Sequence, residues 1–345
     1  MKALVTGAAG FIGSYLVKEL VAQGHDVTAL CQPGNLAEHV RAHGVSIATG
    51  DVTDPESLRK PCQGQNWVFH CAAIVGGYGP WDRFLKVGVE GTRNMINVAA
   101  QAGVDRFVHL SSISVYGTRP CGKLFKETTA FDRNPEGWNH YVRQKVLSEK
   151  ELWKAHTEGK IQAIAIRPSL VLGPGDRNVV RRTLSLIRSP LGAIVGDGRN
   201  RVPCVVIDEL VSTIVYSAVK ECAIGKAYNL CGSQQITQLE YMDLHAAAAG
   251  LKPLERRIPM LLAQVSCSTL EAIYRIAGRE EEPFCTRIAL AFAANDFNID
   301  CSLAVRELGW QGTGSYKEAI NRSVKWYLKF CRQELGFDAK KLTNT

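Results

Sequence analysis

A chain of 345 residues with 46% apolar side chains can bury a full core, as one large domain or two smaller ones. Its net charge of +8 comes from scattered Lys and Arg rather than a basic stripe, which suits a small anionic ligand and excludes nucleic acid as the expected partner. The 11 cysteines form no C-x-x-C pair and no regular spacing, so the pattern suggests neither a metal site nor a disulfide framework, but thiols kept reduced.

The opening segment, MKALVTGAAGFIG, reads as a buried strand over Lys2 to Thr6, a turn with Gly7, Gly10 and Gly13 at G-x-x-G-x-x-G spacing, and a helix from Phe11 to Ala22. A strand running through such a turn into a helix makes an anion site, because backbone N–H groups and the positive end of the helix dipole converge there. Glycines permit the tight turn, the approach of a pyrophosphate and close helix–strand packing. A strand at Met1 leaves no room for a signal peptide, and no apolar run reaches the ~18 residues of a membrane span. No integral membrane segment and a cytoplasmic location are expected.

Further strands are expected over His25 to Leu30, Val45 to Ala48, Trp67 to Cys71, Arg106 to Leu110 and Ile161 to Ile166. Helices are expected over Leu36 to Ala42, from Pro55 with Asp54 as its cap, over Val89 to Ala102 and over His140 to His156. This alternation is that of right-handed βαβ crossovers, hence a doubly wound parallel α/β sheet of Rossmann type over residues 1–172. From Gly173 the rhythm breaks, and residues 173–345 read as a smaller α+β substrate lobe with segments returning to the main domain. Within it, Ile258 to Tyr274 is expected to form an amphipathic helix, with membrane-surface contact as a minor alternative. His39 and His43 have metal-compatible spacing but no third ligand nearby in sequence, so a solvated face is the preferred reading.

Tyr141 and Lys145 stand four apart on one helix and share a face. A neighbouring ammonium stabilises a phenolate and so brings a Tyr into use as an acid or base near neutral pH. Ser111 and Ser112 follow the fifth strand, at the carboxyl edge where open α/β sheets bind ligands. A hydroxyl there can hold a substrate oxygen while Tyr141 moves the proton.

Together TGAAGFIG, SSISVYG, YVRQK and RPSLVLGPGD resemble the extended short-chain dehydrogenase/reductase family over nearly the whole chain. The resemblance implies Ser112, Tyr141 and Lys145 as the catalytic set. It implies cofactor contacts at Gly7, Ala9, Gly10, Phe11, Ile12 and Gly13 in the turn, and at Cys31 and Gln32 after the second strand. Further contacts fall on Asp51, Val52, Cys71, Ala72, Ala73, Tyr141, Lys145, Pro168 and Val171, with His70 and Ser169 in the same segments. One departure stands out: Gly88 occupies the place of an Asn that in this family supports local structure and proton relay.

The cofactor is expected to be NADP(H) rather than NAD(H). An acidic residue at the end of the second strand would repel a 2′-phosphate, and Cys31 stands there instead. The usual Arg one residue later is Gln32, and Arg41 is better read as a solvated helix face. The segments VFHCAAIVGGYGPWDRF, VGDGRNRV and FNIDCSLAVRELGW resemble the branch of 3β-hydroxysteroid dehydrogenases, dihydroflavonol reductases and 3-oxoalkanoate reductases. That branch implies hydride transfer between nicotinamide and a secondary alcohol or ketone, here on a lipid-like or aromatic small molecule. Gly77, Trp81, Ser114, Tyr116 and Arg177 are the candidate substrate contacts. Two other readings are carried: a nucleotide-sugar epimerase with tightly held NAD and a diphosphate bound by Arg177, Arg181, Arg182 and Arg199, and a non-catalytic NADP(H)-binding regulator. A homodimer through the Tyr/Lys helix is the oligomer the resemblance implies.

Overall fold

The computed structural model describes residues 1–331 apart from 33, 35–37, 120–121, 136 and 280, and at 38 and 39 the backbone alone. Seven strands form one parallel sheet: β1 (Lys2–Thr6), β2 (Asp26–Cys31), β3 (Ser46–Thr49), β4 (Trp67–His70), β5 (Arg106–Leu110), β6 (Ala163–Pro168) and β7 (Lys226–Leu230). Their order is β7-β6-β5-β4-β1-β2-β3, with every pairing parallel. The order reverses between β1 and β4, where Thr6 lies opposite both Leu30 and His70. Such a switch point opens a crevice at the carboxyl ends of the strands.

Ala3 to Thr6, Trp67 to His70 and Ala163 to Pro168 are buried without a break. Both faces are covered, so these strands are continuous apolar runs rather than alternating ones. On one face lie α1 (Phe11–Ala22) and, later in the chain, Ile207–Val219; on the other lie α2 (Pro55–Cys62), α3 (Gly91–Gln101) and α4 (His140–Thr157). The Asp54 carboxylate caps α2 by accepting from Glu56 N–H, with Pro55 in the first turn. The expected helix over Leu36 to Ala42 is described only as Glu38–Arg41. Ahead of α3 the helix extends back to Trp81 through a wide π turn at Leu85–Glu90. Periodicity does not place that turn.

The second lobe contributes α5 (Asn178–Arg188), α6 (the Ile207–Val219 helix), α7 (Gln238–Ala248), α8 (Met260–Ile276), α9 (Arg287–Ala294) and α10 (Tyr316–Phe330). Leu184, Ile194, Tyr241, Ile320 and Tyr327 form part of its separate apolar core. Trp67 is core, and Trp153 donates to Glu149. Among the described residues no helix is long and apolar enough to cross a membrane, and no three His, Cys, Asp or Glu gather into a metal-holding group.

One buried ion pair ties α4 to the sheet. Arg167 at the end of β6 donates to Glu149 of α4 at 2.5 Å, with the two side chains 3% and 0% exposed. Ser111 and Trp153 also donate to Glu149. Arg167 in turn donates to the Tyr116 hydroxyl at 2.8 Å, which donates to Asn229 of β7 at 2.7 Å. Removing one partner of such a pair leaves a buried charge uncompensated. Arg167→Met is expected to cost about 3–5 kcal/mol of stability in urea unfolding; a loss below about 1 kcal/mol would show that water or another cation compensates Glu149.

Candidate active site

Beyond β1, Gly7 turns the chain with φ of 63°, a conformation natural only to glycine. A Cβ added at Gly13 would lie 2.1 Å from the Gly7 carbonyl oxygen, so α1 can approach β1 this closely only without a side chain there. Gly10 caps α1 with no side-chain hydrogen bond. The first N–H groups of a helix have no partner within it. Here, at the positive end of the dipole, they suit the phosphates of a dinucleotide.

The same cleft of about 1810 Å³ runs past Cys31 and Gln32 after β2, Gly50 and Val52 after β3, and Cys71 to Ala73 after β4. It continues along Ser111, Ser112, Tyr141 and Lys145 to Pro168, Ser169 and Val171. Gly7, Ala9, Phe11 and Ile12 lie on its wall with Gly10 and Gly13. These residues fit an extended nicotinamide dinucleotide. Asp51 is not part of the wall: burial opposes its charge, but bonds from Thr53 N–H, the Thr53 hydroxyl and the Gln32 amide outweigh that and hold it low. His70 lies beneath the floor, bridging Thr6 (2.9 Å) and Thr92 (3.0 Å); burial holds its pKa down at about 3, so it stays neutral.

Three elements bring the hydroxyl, phenol and ammonium together. Ser112 caps the short turn Ile113–Tyr116, its hydroxyl accepting from Ser114 N–H. Asn139, fully buried, caps α4 by accepting from Val142 N–H, which sets Tyr141 in the first turn and Lys145 one turn later. Lys145 Nζ donates to the Leu110 carbonyl at the end of β5, 2.7 Å away. Tyr141 and Ser112 line the same stretch of the cleft, and the Ser112 hydroxyl favours the ionised phenol.

The electrostatics differ from the expectation that Lys145 lowers the Tyr141 pKa. Burial pushes the phenol up, with the Ser112 hydroxyl only partly offsetting it. Burial also brings Lys145 down to about 8. Its ammonium is committed to Leu110 and stands 6.0 Å from the Tyr141 ring centre. Tyr141 therefore carries its proton at neutral pH.

Gln144 fills the place left by Gly88. A Cβ on Gly88 would fall 2.0 Å from Gln144 Oε1. The Gln144 amide accepts from Ile74 N–H (3.3 Å) and donates to the Ile74 carbonyl (3.0 Å), clasping the loop after β4. Gln144 stands within YVRQK, but only the fold brings 144 against 88.

The expected substrate contacts divide. Arg177 lines the cleft, and its Nε donates to Cys331 Sγ at 3.3 Å. Gly77 does not line the cleft: its N–H donates to Glu282, 3.1 Å away, and Glu282 pairs with Arg182 at 2.9 Å. Trp81, Ser114 and Tyr116 do not line the cleft. Trp81 stacks under the Arg143 guanidinium at 3.8 Å, Ser114 is fully buried, and the Tyr116 hydroxyl belongs to the Arg167 network. In their place Leu262, Ala263 and Leu270 of α8, with Cys285, Ile288 and Phe292 around α9, build an apolar wall that sequence reasoning placed only in part.

A model of the NAD dependent epimerase/dehydratase family matches residues 3–231. A 2-alkyl-3-oxoalkanoate reductase of Shewanella oneidensis is 29% identical over 331 residues, covering 93% of this chain and 84% of that protein. A 3-beta-hydroxysteroid dehydrogenase of Mycolicibacterium neoaurum is 26% identical, over 94% of this chain and 91% of its own. A solved UDP-glucuronic acid 4-epimerase of Bacillus cereus, in complex with NAD, shares the fold at a TM-score of 0.73 and 20% identity, covering 95% of this chain and 99% of that one.

The Gly88–Gln144 contact is directly testable. Gly88→Ala is expected to cost about 1–3 kcal/mol by overpacking. Gln144→Ser, added to it, is expected to return part of that loss in a double-mutant cycle read by urea unfolding. Strict additivity would contradict the contact.

Proposed function

The chain belongs to the NAD-dependent epimerase/dehydratase family, and from that premise we propose that it reduces a ketone, or oxidises the matching secondary alcohol, on a lipid-like or aromatic body. The observation that carries this reading is the Tyr141 phenol and the Ser112 hydroxyl lining the cofactor cleft together with the apolar wall of α8 and α9. The nicotinamide, when bound, supplies or takes the hydride. Gly7, Gly10, Gly13 and the α1 N-terminus would hold its phosphates, and Lys145, on the wall of the same cleft, would meet its ribose hydroxyls.

In the reductive direction Ser112 holds the carbonyl oxygen by its hydroxyl, and Tyr141 delivers its proton to that oxygen. Burial keeps Tyr141 protonated until the transfer. The Ser112 hydroxyl, which favours the ionised phenol, stabilises the phenolate left behind, while the Lys145 ammonium stays fixed by Leu110. In oxidation the same groups run in reverse. NADP(H) is the preferred cofactor, because Cys31 presents no charge to a 2′-phosphate at the end of β2. Reduced, scattered thiols support a cytoplasmic location.

The epimerase reading needs cations converging on a diphosphate. Arg182 is instead spent on Glu282, and Arg199 stands exposed beside Asp197 at 4.0 Å. The walls near the candidate substrate space are apolar, as at Leu262, Leu270, Ile288 and Phe292. These observations support the reductase. The presence of Ser112, Tyr141 and Lys145 together supports an enzyme over a regulator.

Tyr141→Phe tests the assignment. It is expected to lower turnover of a hydrophobic ketone by about 10²–10⁴-fold, while fluorescence titration shows NADPH binding unchanged and tighter than NADH. Unchanged turnover would remove Tyr141 from the reaction. Turnover confined to nucleotide sugars, with a nucleotide that survives dialysis, would favour the epimerase.

A further inference from the structure

We propose that the second lobe carries a polar subsite, made by the Tyr241 hydroxyl and the Asp176 carboxylate, that receives a hydroxyl group borne by the substrate away from its carbonyl. Tyr241 of α7 is 4% exposed, yet it lines the cleft. Its phenol oxygen is buried with no hydrogen-bond partner among the described residues. Thr183 lies nearby without closing such a bond. A buried hydroxyl left unpaired costs stability, which a phenylalanine in the same place would avoid. A ligand oxygen in the cleft would remove that cost.

Asp176 stands on the wall of the same cleft, just ahead of α5. One oxygen of its carboxylate accepts from Val179 N–H at 3.0 Å and so caps the helix. Burial pushes this carboxyl up to about 6, with Val179, Arg182 and Asn178 only partly offsetting it. At neutral pH the group is therefore ionised, with acceptor sites left over. Arg182 is shared with Glu282, to which it pairs at 2.9 Å. Burial raises the Tyr241 pKa, and the charges of Cys204 and Asp176 raise it further, so the phenol stays a donor beside that acceptor.

The two groups select a ligand by what each lacks. The phenol needs an acceptor and the carboxylate a donor, and a single hydroxyl is both. An ammonium has no lone pair to offer Tyr241, and an anionic group would be repelled by Asp176. The wall at Leu262, Leu270, Ile288 and Phe292 is apolar, so a polar notch distinguishes one end of a hydrophobic molecule from the other. One continuous cleft joins Ser112 and Tyr141 to Asp176 and Tyr241, and one substrate can span both. The subsite deepens the proposed function and rests on it for the carbonyl end: the substrate is a hydroxylated, otherwise hydrophobic ketone.

Calorimetric titration of the NADP⁺-loaded chain tests the subsite without turnover, because an oxidised cofactor cannot reduce a ketone. The probes are straight-chain ketones from octan-2-one to tetradecan-2-one, each beside the same ketone with a terminal hydroxyl. Wild type is expected to bind the hydroxylated member about tenfold or more tightly at one or more lengths. Tyr241→Phe is expected to lower that ratio about threefold or more, and so is Asp176→Asn, which keeps an oxygen to cap α5. Tyr241→Phe is also expected to leave NADPH affinity unchanged and the urea midpoint of the unliganded chain unchanged or raised. A lowered midpoint would make the hydroxyl a structural group, and a lowered NADPH affinity would assign it to the cofactor. Either would overturn the proposal, as would a wild type with no preference at any length or a preference that both variants keep. A hydroxyl preference without NADPH-driven turnover of any ketone would leave the subsite standing and overturn the reductase. Turnover without the preference would do the reverse.

Discussion

The site depends on the buried pair of Glu149 and Arg167. Glu149 sits one turn beyond Lys145 and two beyond Tyr141, and Arg167 ends β6 next to the strand that carries Ser111 and Ser112. The pair therefore sets the height and rotation of α4 against the carboxyl edge of the sheet. Ser111 donates to the same carboxylate, so the chain segment holding Ser112 is fixed by the group that fixes Tyr141. Tyr116 and Asn229 extend the bond chain to β7. Two charges in an apolar interior are costly unless fully hydrogen-bonded, and here Glu149 accepts from Arg167, Ser111 and Trp153. That arrangement gives one geometry rather than many.

Much of this is legible in the order of the amino acids. Continuous apolar runs mark the buried parallel strands, because a strand covered on both faces shows no alternation. The glycine spacing marks the cradle, and the four-residue interval places Tyr141 and Lys145 on one face. What escapes is long-range. Gln144 answers Gly88 across 56 positions of chain, and no local pattern links an absent side chain on one helix to a long one on another. Tyr116 reads toward the substrate because it follows the serines, yet its hydroxyl turns inward to Arg167. The π turn ahead of α3 leaves no trace in the apolar periodicity.

The electrostatic expectation fails for a related reason. A Tyr–Lys interval on a helix says that the two groups are neighbours, not how dry they are. Tyr141 is half-buried on the cleft wall and Lys145 buried, and desolvation moves the phenol up and the ammonium down. The result is a phenol held in its protonated form, on the same helix as a cation anchored to a backbone carbonyl. The family relationship, the glycine cradle and the apolar wall then describe one device: the fold holds a dinucleotide at one end and leaves an oily space at the other.

The central claim is net hydride transfer to a carbonyl held at Ser112 and Tyr141. Mass spectrometry of the product formed from a hydrophobic ketone and NADPH carrying deuterium at its transferable position tests it directly. The account predicts an alcohol with one deuterium on the former carbonyl carbon and one oxidised cofactor per product. Unlabelled product, or product formed with no net oxidation of the cofactor, would contradict it.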